Sequence, residues 1–99
     1  MKNYRKSNDS SLKEALESMF KTYKLESKMN QVKLINAWEQ VMGPAVAHRT
    51  IELKIIDQSL IVTLSSSSLR QELFMNKIKI IESLNEIVGT TVILDIVFK

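Results

Sequence analysis

The chain of 99 residues contains no cysteine, which excludes disulfides, thiolate metal ligands and a cysteine nucleophile together and fits a reducing compartment. It has a single histidine, so no zinc site of converging imidazoles can be assembled. Nowhere do about 18 apolar residues run together, which excludes a membrane-spanning helix. The first ten residues carry charge without the apolar stretch of a signal peptide, so an intracellular, cytoplasmic protein is expected. There is no glycine-rich loop or Walker-type lysine for a nucleotide, and no Gly-x-Ser-x-Gly elbow for a serine nucleophile. The acidic residues are scattered among lysines rather than paired as a general acid and base. An enzyme is therefore not expected, and neither is a cofactor or a small-molecule substrate.

What is present is organised unevenly. The length suits one small domain with one modest core, burying roughly 60% or more of the surface of the unfolded chain. Net charge is only +3, but residues 1–33 hold Lys2, Arg5, Lys6, Lys13, Lys21, Lys24, Lys28 and Lys33 against Asp9, Glu14, Glu17 and Glu26, a balance of +4. The remainder has six basic and seven acidic residues, a balance of −1. Such segregation can attract a polyanion, although a lysine-rich solvated face has the same composition.

The only Trp, the only Pro, the only His and one of the two Gly fall between Trp38 and His48. Before this segment the apolar residues repeat at helical spacing, and after it they alternate as in strands. Residues 1–9 read as a flexible basic tail and residues 10–99 as the folded domain. Ser11 to Glu14 has capping-box spacing, and Leu12, Ala15, Leu16, Met19, Phe20 and Tyr23 form the stripe of a first helix. This stripe must pack on something. A break is expected around Glu26-Ser27, followed by a second helix through Met29, Val32, Ile35, Trp38 and Met42. Gly43 in the left-handed conformation would close it, and Pro44 would stop it.

From Thr50 the period changes to two. Ile51, Leu53 and Ile55, then Leu60, Val62 and Leu64, define two strands joined by Asp57-Gln58-Ser59, with Asp57 in a left-handed position. The serine run 65–68 is read as a helix cap, with capping-box spacing from Ser68 to Gln71. One long helix is expected from Leu69 through Leu73, Lys77, Ile80, Leu84 and Val88, ended by Gly89, with Lys77 snorkelling at its edge. A last strand from Thr90 to Phe98 has apolar residues on both faces, as in a central or covered strand.

Two aromatic residues could stack on nucleobases. Trp38 continues the stripe of its helix and belongs to the core, whereas Tyr4 lies in the basic tail where it has no core to join. His48 has no partner of catalytic or ligand type and is assigned no chemistry.

Taken in order, Trp38-Glu39-x-Val41-x-Gly43-Pro44-x-Val46-Ala47, Arg49-Thr50, Leu60-Ile61-Val62, Ser67-x-Leu69-Arg70-x-Glu72-Leu73 and Leu84-Asn85-x-x-Val88-Gly89 resemble the DciA-like bacterial proteins, formerly a domain of unknown function. The resemblance spans about residues 10–99. It implies an α+β, KH-like small domain of order α-α-β-β-α-β, with helices packed on a three-stranded sheet. It also implies a non-enzymatic part in bacterial DNA replication, assisting the loading of the replicative DnaB-type helicase, touching single-stranded DNA and working at the nucleoid. No Gly-x-x-Gly occurs, so the backbone clamp that KH domains use on nucleotides is absent. The expected nucleic-acid contacts are Lys2, Tyr4, Arg5, Lys6, Lys13, Lys21, Lys24, Lys28 and Lys33. RNA in place of DNA, or a protein-interaction module that binds no nucleic acid, are the alternatives.

Overall fold

A computed structural model describes residues 11–99 in full and the backbone course of residues 2–10. Its elements in chain order are α1 (Lys2–Met42), α2 (Pro44–His48), β1 (Thr50–Ile56), β2 (Ser59–Leu64), α3 (Ser67–Met75), α4 (Lys77–Val88) and β3 (Asp95–Phe98). The α+β class with helices packed on a three-stranded sheet is as the sequence implied, although the helices are divided differently. Two helices were expected upstream of Gly43, and a single one of 41 residues is found. Neither glycine nor proline occurs before position 43, so nothing forces a break at Glu26-Ser27 and the helix runs through. The Ser11 to Glu14 capping box consequently lies inside α1 and caps nothing.

Gly43 has φ 87° and ψ 165°, a mirror-extended conformation open essentially only to glycine, rather than the left-handed helical one expected. It turns the chain, and Pro44, which fits the first position of a helix, starts the five-residue α2. The indole N–H of Trp38 donates to Thr50 Oγ1 (3.0 Å), and that hydroxyl donates in turn to the carbonyl of Val46 (2.8 Å). One short relay thus locks α1, α2 and the start of β1 together.

The sheet has the order β1-β2-β3, with β1 and β2 antiparallel and β2 and β3 parallel. Asp57 and Gln58 both have positive φ (48° and 65°), making the two-residue turn of a tight hairpin, of which only the Asp57 half was expected. Leu53, Val62 and Phe98 form one row of the inner face, and Ile55, Leu60 and Ile96 form the next. A register shift between Thr50 and Glu52 takes Ile51 out of this pattern, leaving it exposed. The outer face carries Glu52, Lys54, Thr63 and Val97. On the inner face Leu34, Ala37 and Trp38 of α1, Leu73 of α3, and Ile80 and Leu84 of α4 close the core with Leu60, Val62, Leu64, Ile93 and Ile96.

Further differences concern the second half. Ser66, not Ser68, caps α3, its hydroxyl accepting from the amide of Leu69 (3.3 Å). The single long helix expected there is two, separated at Asn76 (φ −108°, ψ 16°), whose side-chain amide donates to the carbonyl of Glu72. Gly89 ends α4 in the left-handed conformation, as expected.

The last strand is short and lies at the sheet edge, with β2 in the centre. The expected strand start at Thr90 is a loop instead, because Asn85 holds it. Its Oδ1 accepts from the amides of Val92 (2.9 Å) and Ile93 (3.1 Å), and its Nδ2 donates to the carbonyl of Ile93 (2.9 Å). These bonds replace sheet pairing and drive Ile93 into the core.

Candidate nucleic-acid interface

The upstream part of α1 extends beyond the body, giving overall dimensions of 70 × 21 × 20 Å. Successive residues of a helix are rotated by about 100°, so residues three, four and seven apart share a face. Lys13, Lys21, Lys24 and Lys28 therefore fall within one sector about 80° wide, along about 22 Å of helix axis. All four are exposed. Glu17 lies in the same sector and Glu14 beside it, so the ladder is basic in balance rather than purely basic. Lys33 is exposed but stands about 140° around the helix from Lys28. Four of the five expected α1 lysines are thus brought together, and one is set apart. Lys2, Tyr4, Arg5 and Lys6 lie outside the fully described residues.

Lys24 is also tied to its own helix, with Nζ 4.9 Å from the centre of the Phe20 ring. Phe20 stands at the border between the lysine sector and a neighbouring apolar sector of Leu12, Ala15, Leu16, Met19 and Tyr23. Trp38, assigned to the core, is buried there. His48 ends α2 and is exposed, with no ion pair to a described residue.

Two basic residues of the body differ in kind. Lys77 pairs with Asp95 (2.7 Å) and lies 5.4 Å over the Phe74 ring, and Lys54 is near Glu52 (3.6 Å). The Lys77 ammonium, and after it the backbone N–H of Ile96, hold the Asp95 carboxyl below its ordinary value. An apolar knuckle at the α3–α4 junction, with Phe74, Met75 and Ile78 exposed beside Lys79, had no counterpart in the expected sites. Its one legible signal was Asn76, a weak helix former in the middle of the expected long helix. Among the described residues no cluster of acidic or imidazole groups could hold a metal ion, and no helix is long and apolar enough to cross a membrane.

The sequence profile of a known family, described as "Dna[CI] antecedent, DciA", matches residues 11–98. No curated protein matches the chain. With that family comes a role in loading the DnaB-type helicase during DNA replication, and a non-catalytic one.

Proposed function

The chain belongs to the DciA family, and on that footing we propose that it is an adaptor that binds the replicative helicase through the folded domain of residues 10–99 and single-stranded DNA through α1 and its leading segment. The observation that supports the DNA part is the one-sided ladder of Lys13, Lys21, Lys24 and Lys28 on a helix face that packs against no other described element. Lys2, Arg5 and Lys6 of the basic segment 1–9 extend the supply of phosphate contacts, and Tyr4 supplies a ring for stacking. No Gly-x-x-Gly clamp is needed for such binding, because an exposed cationic face tracks the backbone without reading bases. Without a nucleotide site, loading draws on binding energy alone. The protein acts in the cytoplasm, at the nucleoid.

Fluorescence anisotropy with a labelled single strand, titrated at several salt concentrations, tests the DNA part. Log affinity falls against log salt with a slope of about −0.7 per phosphate contacted. Replacing Lys21, Lys24 and Lys28 by Ala then flattens the slope by about 2, whereas Lys33→Ala changes it little. Deleting residues 1–9 lowers affinity further. A salt-insensitive affinity, or an unchanged slope in the triple variant, removes α1 from the interface. RNA of equal length competing better than DNA replaces the ligand. Co-purification with the cell's own helicase tests the other half, and its absence at both low and physiological salt refutes it.

A further inference from the structure

Beside its lysines the projecting half of α1 carries an apolar face that packs on no other described element. Leu12, Leu16, Met19, Phe20 and Tyr23 are 56–68% exposed. Together they offer about 700 Å² of accessible surface, more than the largest patch on a typical monomer. In proteins helical stability comes mostly from packing an apolar face, which this part of α1 lacks among the described residues. The face is not an isolated accident of composition. At about 100° per residue it falls in the same sector as Leu34, Ala37, Trp38 and Val41, the residues by which α1 packs on the body. The body therefore stands on the same side of the helix as the bare face, beyond a polar band of Glu26, Ser27, Asn30 and Gln31.

We propose that this face pairs with the same face of a second copy of the chain, the two helices running antiparallel. Area supports the second copy: two such faces present about 1,400 Å² between them, the scale that specific, stable interfaces need. Charge agrees with it, because no charged residue stands among Leu12, Leu16, Met19, Phe20 and Tyr23. Lys21 and Lys28 remain on the solvent side of the pair, and Lys24, stacked on the Phe20 ring, flanks the seam. The position of the body selects the direction. In a parallel pair both bodies would occupy the space between the helices, whereas in an antiparallel pair they stand at opposite ends. Leu12 then lies opposite Tyr23 of the partner subunit, and Leu16 opposite Met19 of the partner subunit.

The test is the mass of the full chain in solution by sedimentation or light scattering at about 100 μM, a concentration that populates any dimer with a dissociation constant in the micromolar range. The expected mass is twice the 11.4 kDa of one chain. Leu16→Glu halves it while the Trp38 fluorescence of the folded body is unchanged. The absence of cysteine makes the direction readable by oxidative crosslinking. A mixture of Leu12→Cys and Tyr23→Cys chains links unlike chains, and Leu12→Cys alone stays unlinked, its two sulfurs being held about 16 Å apart along the seam. A wild-type mass of 11.4 kDa overturns the proposal, and so does efficient linking of Leu12→Cys to itself. A monomer whose Leu16→Glu variant no longer captures the helicase also overturns it and assigns the face to the helicase. DNA and helicase binding by the wild-type chain are read separately, so neither can fail on account of this result.

Discussion

The two halves of α1 follow one pattern and meet opposite fates. Leu34, Ala37 and Trp38 are buried against α4, α2 and β1, while Leu12, Leu16, Met19 and Phe20, spaced in the same way and in the same sector, are exposed. Periodicity thus states that a helix has an apolar face, and says nothing about whether the same chain covers it. What distinguishes the halves is the remainder of the chain. The turn at Gly43-Pro44 returns the backbone alongside residues 34–42, and the 50 residues that follow Arg49 are consumed in covering that segment alone. A domain of this length has one modest core, and the upstream half lies beyond its reach.

This contrast is broken most sharply by removing the same side chain from each half. Leu34→Ala, fully buried in the downstream half, costs about 3–5 kcal/mol of unfolding free energy. Leu16→Ala changes the denaturant midpoint of the dilute chain by less than about 0.5 kcal/mol equivalent. Equal losses at the two positions would show that the arm folds as part of the body. A smaller effect is expected at Asn85, which acts through backbone rather than packing. Asn85→Ala leaves the amides of Val92 and Ile93 without partners and costs about 2–4 kcal/mol. Hydrogen exchange at these two amides should rise while those of Leu34 and Trp38 stay protected, because the change is confined to one edge of the body.

Gly43 sharpens the comparison at the point where arm and body join. A Cβ there would meet nothing within 4 Å, so Gly43→Ala measures backbone conformation alone, at about 1–3 kcal/mol. A negligible cost in a denaturant titration would mean that the turn relaxes into an ordinary conformation. The rare-residue segment from Trp38 to His48 was legible in advance because each residue excludes something: glycine permits the turn, proline forbids continuation, and tryptophan demands burial.

The hairpin and the left-handed Gly89 were legible for similar reasons. The two subdivided or fused helices were not, since Ser27 and Asn76 are both weak formers and only tertiary contacts decide which of them interrupts a helix. The last strand was misread in length because Asn85, seven residues upstream of Val92, supplies the bonds that a strand partner would have given. Of the α1 lysines, the grouping of Lys13, Lys21, Lys24 and Lys28 follows from spacing once the helix is continuous. A break at Glu26-Ser27 would have placed Lys28 in no fixed relation to the other three.

The smallest effect separates the lysines of the two regions by their partners. Lys77 of the body donates to Asp95 at 2.7 Å, whereas Lys13, Lys21 and Lys28 of the arm make no ion pair with a described residue. The Lys77 pair lowers the carboxyl pKa of Asp95 in the folded state relative to its ordinary value of about 3.9 in the unfolded chain. As pH falls through that ordinary value the unfolded chain takes up the proton first, so the stabilisation is complete above it and disappears as pH drops through the lower folded value. Asp95 is well exposed and solvent screens the pair, which keeps the contribution small. Unfolding titrations of wild type and Asp95→Asn should therefore differ slightly at neutral pH and converge in acid. A difference that persisted unchanged below the pKa of Asp95 would mean that the side chain acts through its hydrogen-bonding shape and not through its charge. The corresponding neutral substitution in the ladder, Lys28→Gln, should leave stability unaltered across the same range and register only in the salt dependence of DNA binding.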